Sequence, residues 1–266
     1  MPPTIAISAD PPYDQRLSQC AEKLATHLGL PIRKLGDTES GLRLAVTPTR
    51  LELRVETGEL AGGKPVFADL SKLDTTSPAG RSLNNPLFKA VGIKKGIAHR
   101  PSVVDCTAGL GEDAWLLAAN GCRVDAFERQ PVIAALLADA LQRASRIHPR
   151  IAERITIHES DATAWTGCLS SQSELGKSMQ SVRPDAVVLD PMFPLGRKAA
   201  ERKPMRVLRM LAGDDADADG LLATALATGI HRVAVKRPLH APPLNAGRSP
   251  DVVHKGKAVR FDVYIQ

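Results

Sequence analysis

The hydrophobic residues in the first part of the chain recur at every second position in short runs, a pattern typical of half-buried strands. Residues 15–28 show helical spacing instead, and Gly29 marks the end of that helix. The alternating runs predict strands at residues 4–8, 42–46, 51–55 and 66–68. Together these elements predict a small α/β module over residues 1–75.

From residue 103 onward, apolar strands alternate with helices. Helical spacing covers residues 113–120 and 131–147, and the second of these helices opens on Pro131. Apolar runs predict strands at residues 103–106, 122–127, 155–158, 186–189 and 232–235. The alternation predicts a parallel sheet with helices on both faces.

Two further segments complete the predicted organisation. Residues 258–265 alternate strictly and no helix follows them, which predicts an antiparallel edge strand. Residues 76–100 are basic and interrupted by proline and glycine, which predicts a linker with one short helix at residues 87–91. The larger domain is therefore expected to span residues 101–266.

Composition limits the classes of partner. With 266 residues, 43% of them hydrophobic, the chain can build a substantial core. Its net charge of +6 suits a polyanionic partner without requiring one. An aromatic content of 3% argues against extended stacking of bases on aromatic side chains.

The sequence indicates a reduced, cytoplasmic protein with no metal and no membrane partner. Its four cysteines form no C-x-x-C pair, and no leader-like or membrane-length apolar run is present. The histidines lack zinc-binding spacing. Residues 215–220 copy the first half of a calcium loop, but Leu226 stands where a bidentate carboxylate is needed, so these aspartates are predicted to cap a helix.

Residues 105–113 have the pattern of a strand end, a glycine turn and a helix start. Gly109, Gly111 and Ala114 match the dinucleotide fingerprint G-x-G-x-x-A. Glycine lets the backbone approach a ligand closely, and the N–H groups of the following helix face the same point. Glu128, at the end of the next strand, is placed to accept hydrogen bonds from ribose hydroxyls. The pattern predicts a cofactor that contains adenosine.

Two features favour S-adenosylmethionine (SAM) over a nicotinamide cofactor. Asp105 and Asp113 flank the turn, where carboxylates attract the cationic methionine part of SAM and repel a pyrophosphate. Ser160 and Asp161 follow the third strand of the larger domain, where they are placed to meet the adenine amino group. A NAD-dependent dehydrogenase that uses the same turn remains the alternative, and a non-catalytic RNA-binding protein is a third interpretation.

The stretch Asp190-Pro191-Met192-Phe193-Pro194 directly follows a buried strand. Methylating an exocyclic base amine requires acceptors for its N–H groups, because the nitrogen lone pair is delocalised into the ring until a proton is being lost. Asp190 and the Pro191 carbonyl supply acceptors, and Phe193 offers a face on which a base can stack. We therefore predict Asp190, Pro191 and Phe193 as catalytic residues.

Two basic segments lie downstream, near the same strand ends. One runs from Arg197 to Arg209, and the other is Lys236-Arg237-Pro238. Both suit contacts with phosphates, although a solvated helix face explains the first equally well.

These motifs resemble those of the ribosomal RNA small subunit methyltransferase J family, bacterial guanine-N2 methyltransferases of small-subunit ribosomal RNA. The matching stretches are DCTAGLGEDA at 105–114, ERQPVIAALL at 128–137, LDPMFP at 189–194, VKRP at 235–238 and APPL at 241–244. The resemblance covers most of the chain from residue 91 to the end and is looser over the N-terminal module.

The resemblance implies a Rossmann-like class I methyltransferase fold with a mostly parallel seven-stranded sheet. It implies SAM as cofactor and guanine N2 in small-subunit ribosomal RNA, or in the small ribosomal subunit, as substrate. It also implies cofactor contacts at Glu112, Asp113, Glu128, Arg129, Ser160, Asp161 and Asp190. Glu112 and Asp161 depart from the family's pattern, so contacts there are expected through the backbone.

Overall fold

The structure is a computed structural model that describes residues 4–33, 41–170, 183–192, 203–213, 217–245 and 247–266. These residues form two sheets. The smaller sheet contains β1, β2 and β3 in that order, with β1 parallel to β2 and β2 antiparallel to β3. Its elements are β1 (Ile5–Ala9), α1 (Gln15–Leu28), β2 (Leu42–Val46) and β3 (Leu51–Val55).

The N-terminal module agrees with its predicted elements except at one point. The Asp14 side chain accepts hydrogen bonds from the N–H groups of Arg16 and Leu17 and so caps α1, and Gly29 ends the helix in the left-handed conformation. The strand predicted at residues 66–68 is reduced to a single bridge between Val66 and Leu53.

The larger sheet has seven strands in the order β6-β5-β4-β7-β8-β10-β9. The first five are parallel, and β10 is antiparallel to both β8 and β9. The helices and strands after the N-terminal module are α2 (Pro86–Ala90), β4 (Ser102–Asp105), α3 (Glu112–Ala119), β5 (Arg123–Glu128), α4 (Pro131–Ser145), α5 (Pro149–Ala152), β6 (Ile155–Glu159), α6 (Ala162–Ser170), β7 (Ala186–Leu189), α7 (Lys203–Ala212), α8 (Ala218–Ala227), β8 (Arg232–Pro238), β9 (Val252–Lys255) and β10 (Val259–Ile265).

The predicted antiparallel strand forms, but it does not lie at the edge of the sheet. Strand β10 is covered on its outer side by β9, whose four residues pair with residues 260–263. Val252 and Val253 are both more than one-third exposed, so this edge strand shows no alternation of buried and exposed positions. Its sequence therefore lacks the pattern that identified the other strands.

Helix α4 joins the two parts of the molecule. Pro131 suits the first helical position, and the Gln130 side chain accepts hydrogen bonds from the N–H groups of Val132 and Ile133. One stripe of α4, including Leu137, packs in the core of the larger sheet, and another, including Leu136, packs with the N-terminal sheet. Burying each leucine contributes about 1.5–3 kcal/mol to stability.

The segment predicted as a linker contains the expected short helix, α2. Its side chains Leu87, Phe88 and Ala90 are buried in the core of the larger sheet. The division of the chain into a module, a linker and a domain stays a prediction.

Within the described ranges, no helix is both long and apolar enough to cross a membrane.

Candidate functional site

A cavity of about 310 Å³ opens at the carboxyl ends of the parallel strands. Strand β4 lies between β5 and β7, so the chain winds away from it in both directions. This is the switch point at which open α/β sheets bind ligands, and the volume is within the range of small-molecule sites.

The glycine turn forms the floor of the cavity. Gly109 and Gly111 have φ angles of 55° and 82°, which an L side chain rarely adopts. A Cβ on Gly111 would also lie 2.3 Å from Leu137 Cδ1 on α4. The positive φ angles therefore require glycine in this turn, and the absence of a side chain at position 111 leaves room for Leu137.

Glu128 fixes this turn from the end of β5. Its Oε2 accepts the Gly109 N–H at 2.9 Å, and its Oε1 accepts the Gln130 N–H at 2.8 Å. Glu128 also lines the cavity, and carboxylate oxygens accept hydrogen bonds from hydroxyl groups such as those of a ribose. Glu128 is therefore placed to hold the cofactor turn and a ribose together.

The cavity is strongly acidic. Seven carboxylates and two cationic side chains line it among the described residues. The carboxylates belong to Asp105, Glu112, Asp113, Glu128, Asp161, Asp190 and Asp217, and the cations are Arg129 and Lys236. Such a lining attracts a cation and repels a pyrophosphate or a nucleic acid backbone.

Asp105 is the most deeply buried of these carboxyl groups, with 2% exposure. Burial, together with the charges of Asp113 and Asp190, raises the pKa of Asp105 to about 7. The Thr107 N–H donates to Asp105 Oδ1 at 3.1 Å and partly offsets that shift. A cation bound nearby would favour the charged form of this group.

Asp190 stands at the end of β7 and lines the same cavity. Its backbone N–H donates to the Thr107 hydroxyl at 2.6 Å, which fixes the start of the segment predicted to be catalytic against the glycine turn. Pro191 is buried and Met192 contributes to the lining, whereas Phe193 and Pro194 lie outside the described residues.

Lys236 does not have the phosphate-binding arrangement expected from the sequence. It lies within β8, and its Nζ is 2.8 Å from Asp113 Oδ2 and 2.9 Å from Asp190 Oδ2. Burial alone would lower the pKa of Lys236, but the two carboxylates outweigh it and hold the pKa well above its usual value. Arg237 is also not placed for phosphates, because it is buried and donates to the Pro242 carbonyl.

Of the remaining predicted residues, Arg129 and Asp161 line the cavity near Asp217. Arg129 Nη1 lies 2.8 Å from Asp217 Oδ2 and 3.8 Å from Asp161 Oδ2. Ser160 adjoins Asp161 at the end of β6, but the cavity lining includes Asp161 and not Ser160. Asp217 makes no capping hydrogen bond to α8, so the predicted capping role is wrong for this aspartate.

The sequence did not predict that α7 and α8 form one wall of the cavity. Met205 and Leu208 on α7 and Leu221 on α8 contribute apolar surface to the cavity. The strong helical amphipathicity of residues 203–212 is visible in the sequence, but it does not indicate which neighbour the helix contacts.

The residues fit SAM. A cationic cofactor matches the carboxylate-rich lining, and the positive φ of the glycine turn brings backbone close to the ligand position. The described residues contain no group of three or more His, Cys, Asp or Glu side chains arranged to hold a metal ion.

Comparison with known proteins supports the same assignment. Residues 23–266 match the family model described as "Putative SAM-dependent methyltransferase". Ribosomal RNA small subunit methyltransferase J of Coxiella burnetii is 42% identical over 98% of this chain and 97% of its own length. The protein of the same name from Yersinia enterocolitica is 44% identical over 87% of this chain and 88% of its own.

A solved structure provides the corresponding comparison of folds. A SAM-dependent methyltransferase from Neisseria gonorrhoeae is 30% identical, with a TM-score of 0.67 over 98% of this chain and 95% of that one. The predicted class I methyltransferase fold and the SAM cofactor are confirmed, and the dehydrogenase alternative is not supported. The chain therefore belongs to the ribosomal RNA small subunit methyltransferase J family of SAM-dependent methyltransferases.

Proposed function

We propose that this enzyme methylates the exocyclic N2 amine of a guanine in small-subunit ribosomal RNA. The names of its relatives support the RNA substrate. The observation that carries the chemistry is that Asp190 and the glycine turn face one cavity. A cofactor held on the turn and a base held at Asp190 would then meet within that space.

In the proposed mechanism, bound SAM supplies a methyl group on a sulfonium, which is already a good methyl donor. Glu128 binds the ribose, while Asp105 and Asp113 complement the cationic methionine part. Asp190 and the Pro191 carbonyl would accept the two N–H groups of the guanine amine and direct its nitrogen toward the methyl group. As the bond from nitrogen to the methyl carbon forms and the sulfur–methyl bond breaks, the amine would lose one proton to the Asp190 carboxylate. Alignment of the amine with the methyl group supplies most of the rate enhancement over the uncatalysed reaction.

The carboxylate-rich lining of the cavity also indicates where the RNA backbone lies. Seven carboxylates line the cavity, so we infer that only the target base enters and that the phosphates stay outside. Lys203, Arg206 and Arg209 belong to α7, the helix whose Met205 and Leu208 line the cavity, and they are candidate phosphate contacts outside it. The proposal places the enzyme in the cytoplasm, where ribosomal RNA of bacteria is made.

Product identification tests this function. Purified enzyme and isotopically labelled SAM are incubated with ribosomal RNA from cells that lack the enzyme, both as free RNA and as the assembled small subunit. Mass spectrometry of the digested RNA should detect labelled N2-methylguanosine with at least one of the two substrates. Labelled methyl groups only on other nucleosides, or none with either substrate, would contradict the proposal.

A further inference from the structure

We propose that Lys236 is a positioning residue for methyl transfer: its ammonium group fixes the Asp190 carboxylate and keeps it ionised beside the cofactor site. The inference rests on the proposed role of Asp190 as acceptor for the target amine. It assigns Lys236 to the reaction centre in place of the phosphate-binding role that its sequence position suggested.

The geometry brings together three separate elements. Lys236 lies on β8, Asp190 follows β7 and Asp113 lies in the first turn of α3. Strands β7 and β8 are parallel with Leu189 opposite Val235, so Lys236 and Asp190 are adjacent across the sheet. The ammonium lies 2.8 Å from the Asp113 carboxylate and 2.9 Å from the Asp190 carboxylate, within hydrogen-bond distance of both.

This bridge restrains Asp190 from the side-chain end. The Thr107 hydroxyl already accepts the Asp190 backbone N–H, so the residue is held at two points. A carboxylate fixed in this way presents its acceptor oxygens in one orientation, which is what alignment of a weakly nucleophilic amine requires. Asp113 in turn ties the ammonium to the helix that follows the glycine turn.

Charge gives Lys236 a second role. Within the described ranges, the charged groups near Asp190 include Asp105 from β4, Asp113 from α3 and Lys236 from β8. Without the ammonium, Asp190 would stand beside two other carboxyl groups, and like charges would favour its protonated form. One oxygen of a protonated carboxyl group carries a hydrogen and acts as a donor. The protonated group is therefore a poorer acceptor for the two N–H groups of the guanine amine.

The same contacts argue against phosphate binding by Lys236. Its side chain is 23% exposed and already pairs with two carboxylates. An RNA phosphate would have to displace both of them inside an acidic cavity. Replacing Lys236 should therefore leave the KM for RNA and its salt dependence unchanged, while kcat falls.

The test measures kcat with saturating SAM and RNA between pH 5.5 and 8.5 for wild type, Lys236→Met and Lys236→Arg. We expect Lys236→Met to lose activity as the pH falls, with a midpoint raised by about one to three pH units relative to wild type. At pH 8.5 a loss of about tenfold should remain, because the carboxylate is no longer oriented. Lys236→Arg keeps the charge and should retain the wild-type pH profile.

Two controls make the result specific. Lys23→Met removes an exposed lysine on α1 and should behave as wild type. In Asp190→Asn, which keeps an acceptor oxygen but has no carboxyl group at position 190, the added Lys236→Met change should shift the pH profile less than it does in wild type, because position 190 then no longer titrates, although Asp105 near the lost ammonium still does. Calorimetric titration with SAM checks that each variant folds and binds cofactor.

A Lys236→Met enzyme whose kcat falls by the same factor at every pH, or does not fall, would overturn the inference. A raised KM for RNA with kcat unchanged would also overturn it, in favour of phosphate binding. These outcomes differ from failure of the proposed function, which would appear as no labelled N2-methylguanosine from the wild-type enzyme.

Discussion

The N-terminal sheet and the cavity both concentrate charged side chains, but they balance them differently. On the N-terminal sheet, four arginines meet three carboxylates in direct ion pairs. The arginines are Arg33, Arg43, Arg50 and Arg54, and the carboxylates are Asp10, Glu52 and Glu56. In the cavity, the described residues contribute seven carboxylates and only two cations to the lining.

The pKa values of one carboxyl group from each region show the consequence. Burial opposes ionisation of Glu56, but hydrogen bonds from Arg43 and Arg33 outweigh it and hold the pKa of Glu56 below its usual value. Burial and neighbouring carboxylates raise the pKa of Asp105 to about 7. We infer that the first network stabilises the module, whereas the second is arranged for a cationic ligand at a cost in stability.

The largest expected effect is on the pH dependence of stability in Asp105→Asn. Because the pKa of Asp105 lies above the value of about 3.9 typical of an unfolded chain, the folded protein loses stability as the pH rises from about 4 to about 7. Asparagine keeps an acceptor for the Thr107 N–H but does not titrate. At pH 8 the variant should be more stable than wild type by up to about 4 kcal/mol, from about 1.4 kcal/mol per pKa unit.

Urea denaturation of the cofactor-free protein at pH 5 and pH 8 measures this difference. The advantage of Asp105→Asn should be smaller at pH 5, where Asp105 holds its proton in the folded state. An equal change in stability at the two pH values would show that Asp105 does not carry the predicted charge penalty.

Glu128→Ala should weaken SAM binding by about 2–3 kcal/mol, or 30- to 150-fold. The reason is the loss of charge-assisted hydrogen bonds to the ribose together with the bond that holds the Gly109 N–H. Isothermal titration calorimetry gives the affinity. Glu128→Gln retains an acceptor oxygen and should lose less, and wild-type affinity in the alanine variant would remove Glu128 from the cofactor site.

Glu56→Gln should have the smallest effect, a loss of about 1 kcal/mol of stability at pH 7. Since the pKa of Glu56 is lowered in the folded state, its contribution is present above the unfolded pKa of about 4.3 and is lost as the pH falls. SAM affinity should not change. Glu59→Gln is the matched control, because Glu59 is 81% exposed in its pair with Arg206. A change in SAM affinity in Glu56→Gln would break the distinction between the two regions.

The sequence was enough to place the glycine turn, Glu128 and Asp190 at one edge of the sheet. Each follows a predicted parallel strand, and the carboxyl ends of parallel strands meet at the same edge. Their contacts with SAM and guanine stay predictions. The fold class followed from the strand and helix alternation together with the family resemblance.

The contacts of Lys236 with two carboxylates could not be predicted from the sequence. The apolar run in β8 ends at Val235, so the strand was predicted to stop there, whereas pairing with β10 extends it to Pro238. The two carboxylates that bind Lys236 lie 46 and 123 positions earlier in the chain. Contacts at that separation depend on tertiary packing, which local periodicity does not encode.

The most direct test of the central claim is methyl transfer by Asp190→Ala. Single-turnover rates are measured with ribosomal RNA lacking the modification and saturating SAM, and SAM affinity is measured in parallel to establish that the cofactor site is intact. We predict a rate at least about 100-fold below wild type, because the target amine loses its acceptor, with SAM affinity within a few-fold of wild type. A wild-type rate in this variant would contradict the claim that the Asp190 side of the cavity receives the base.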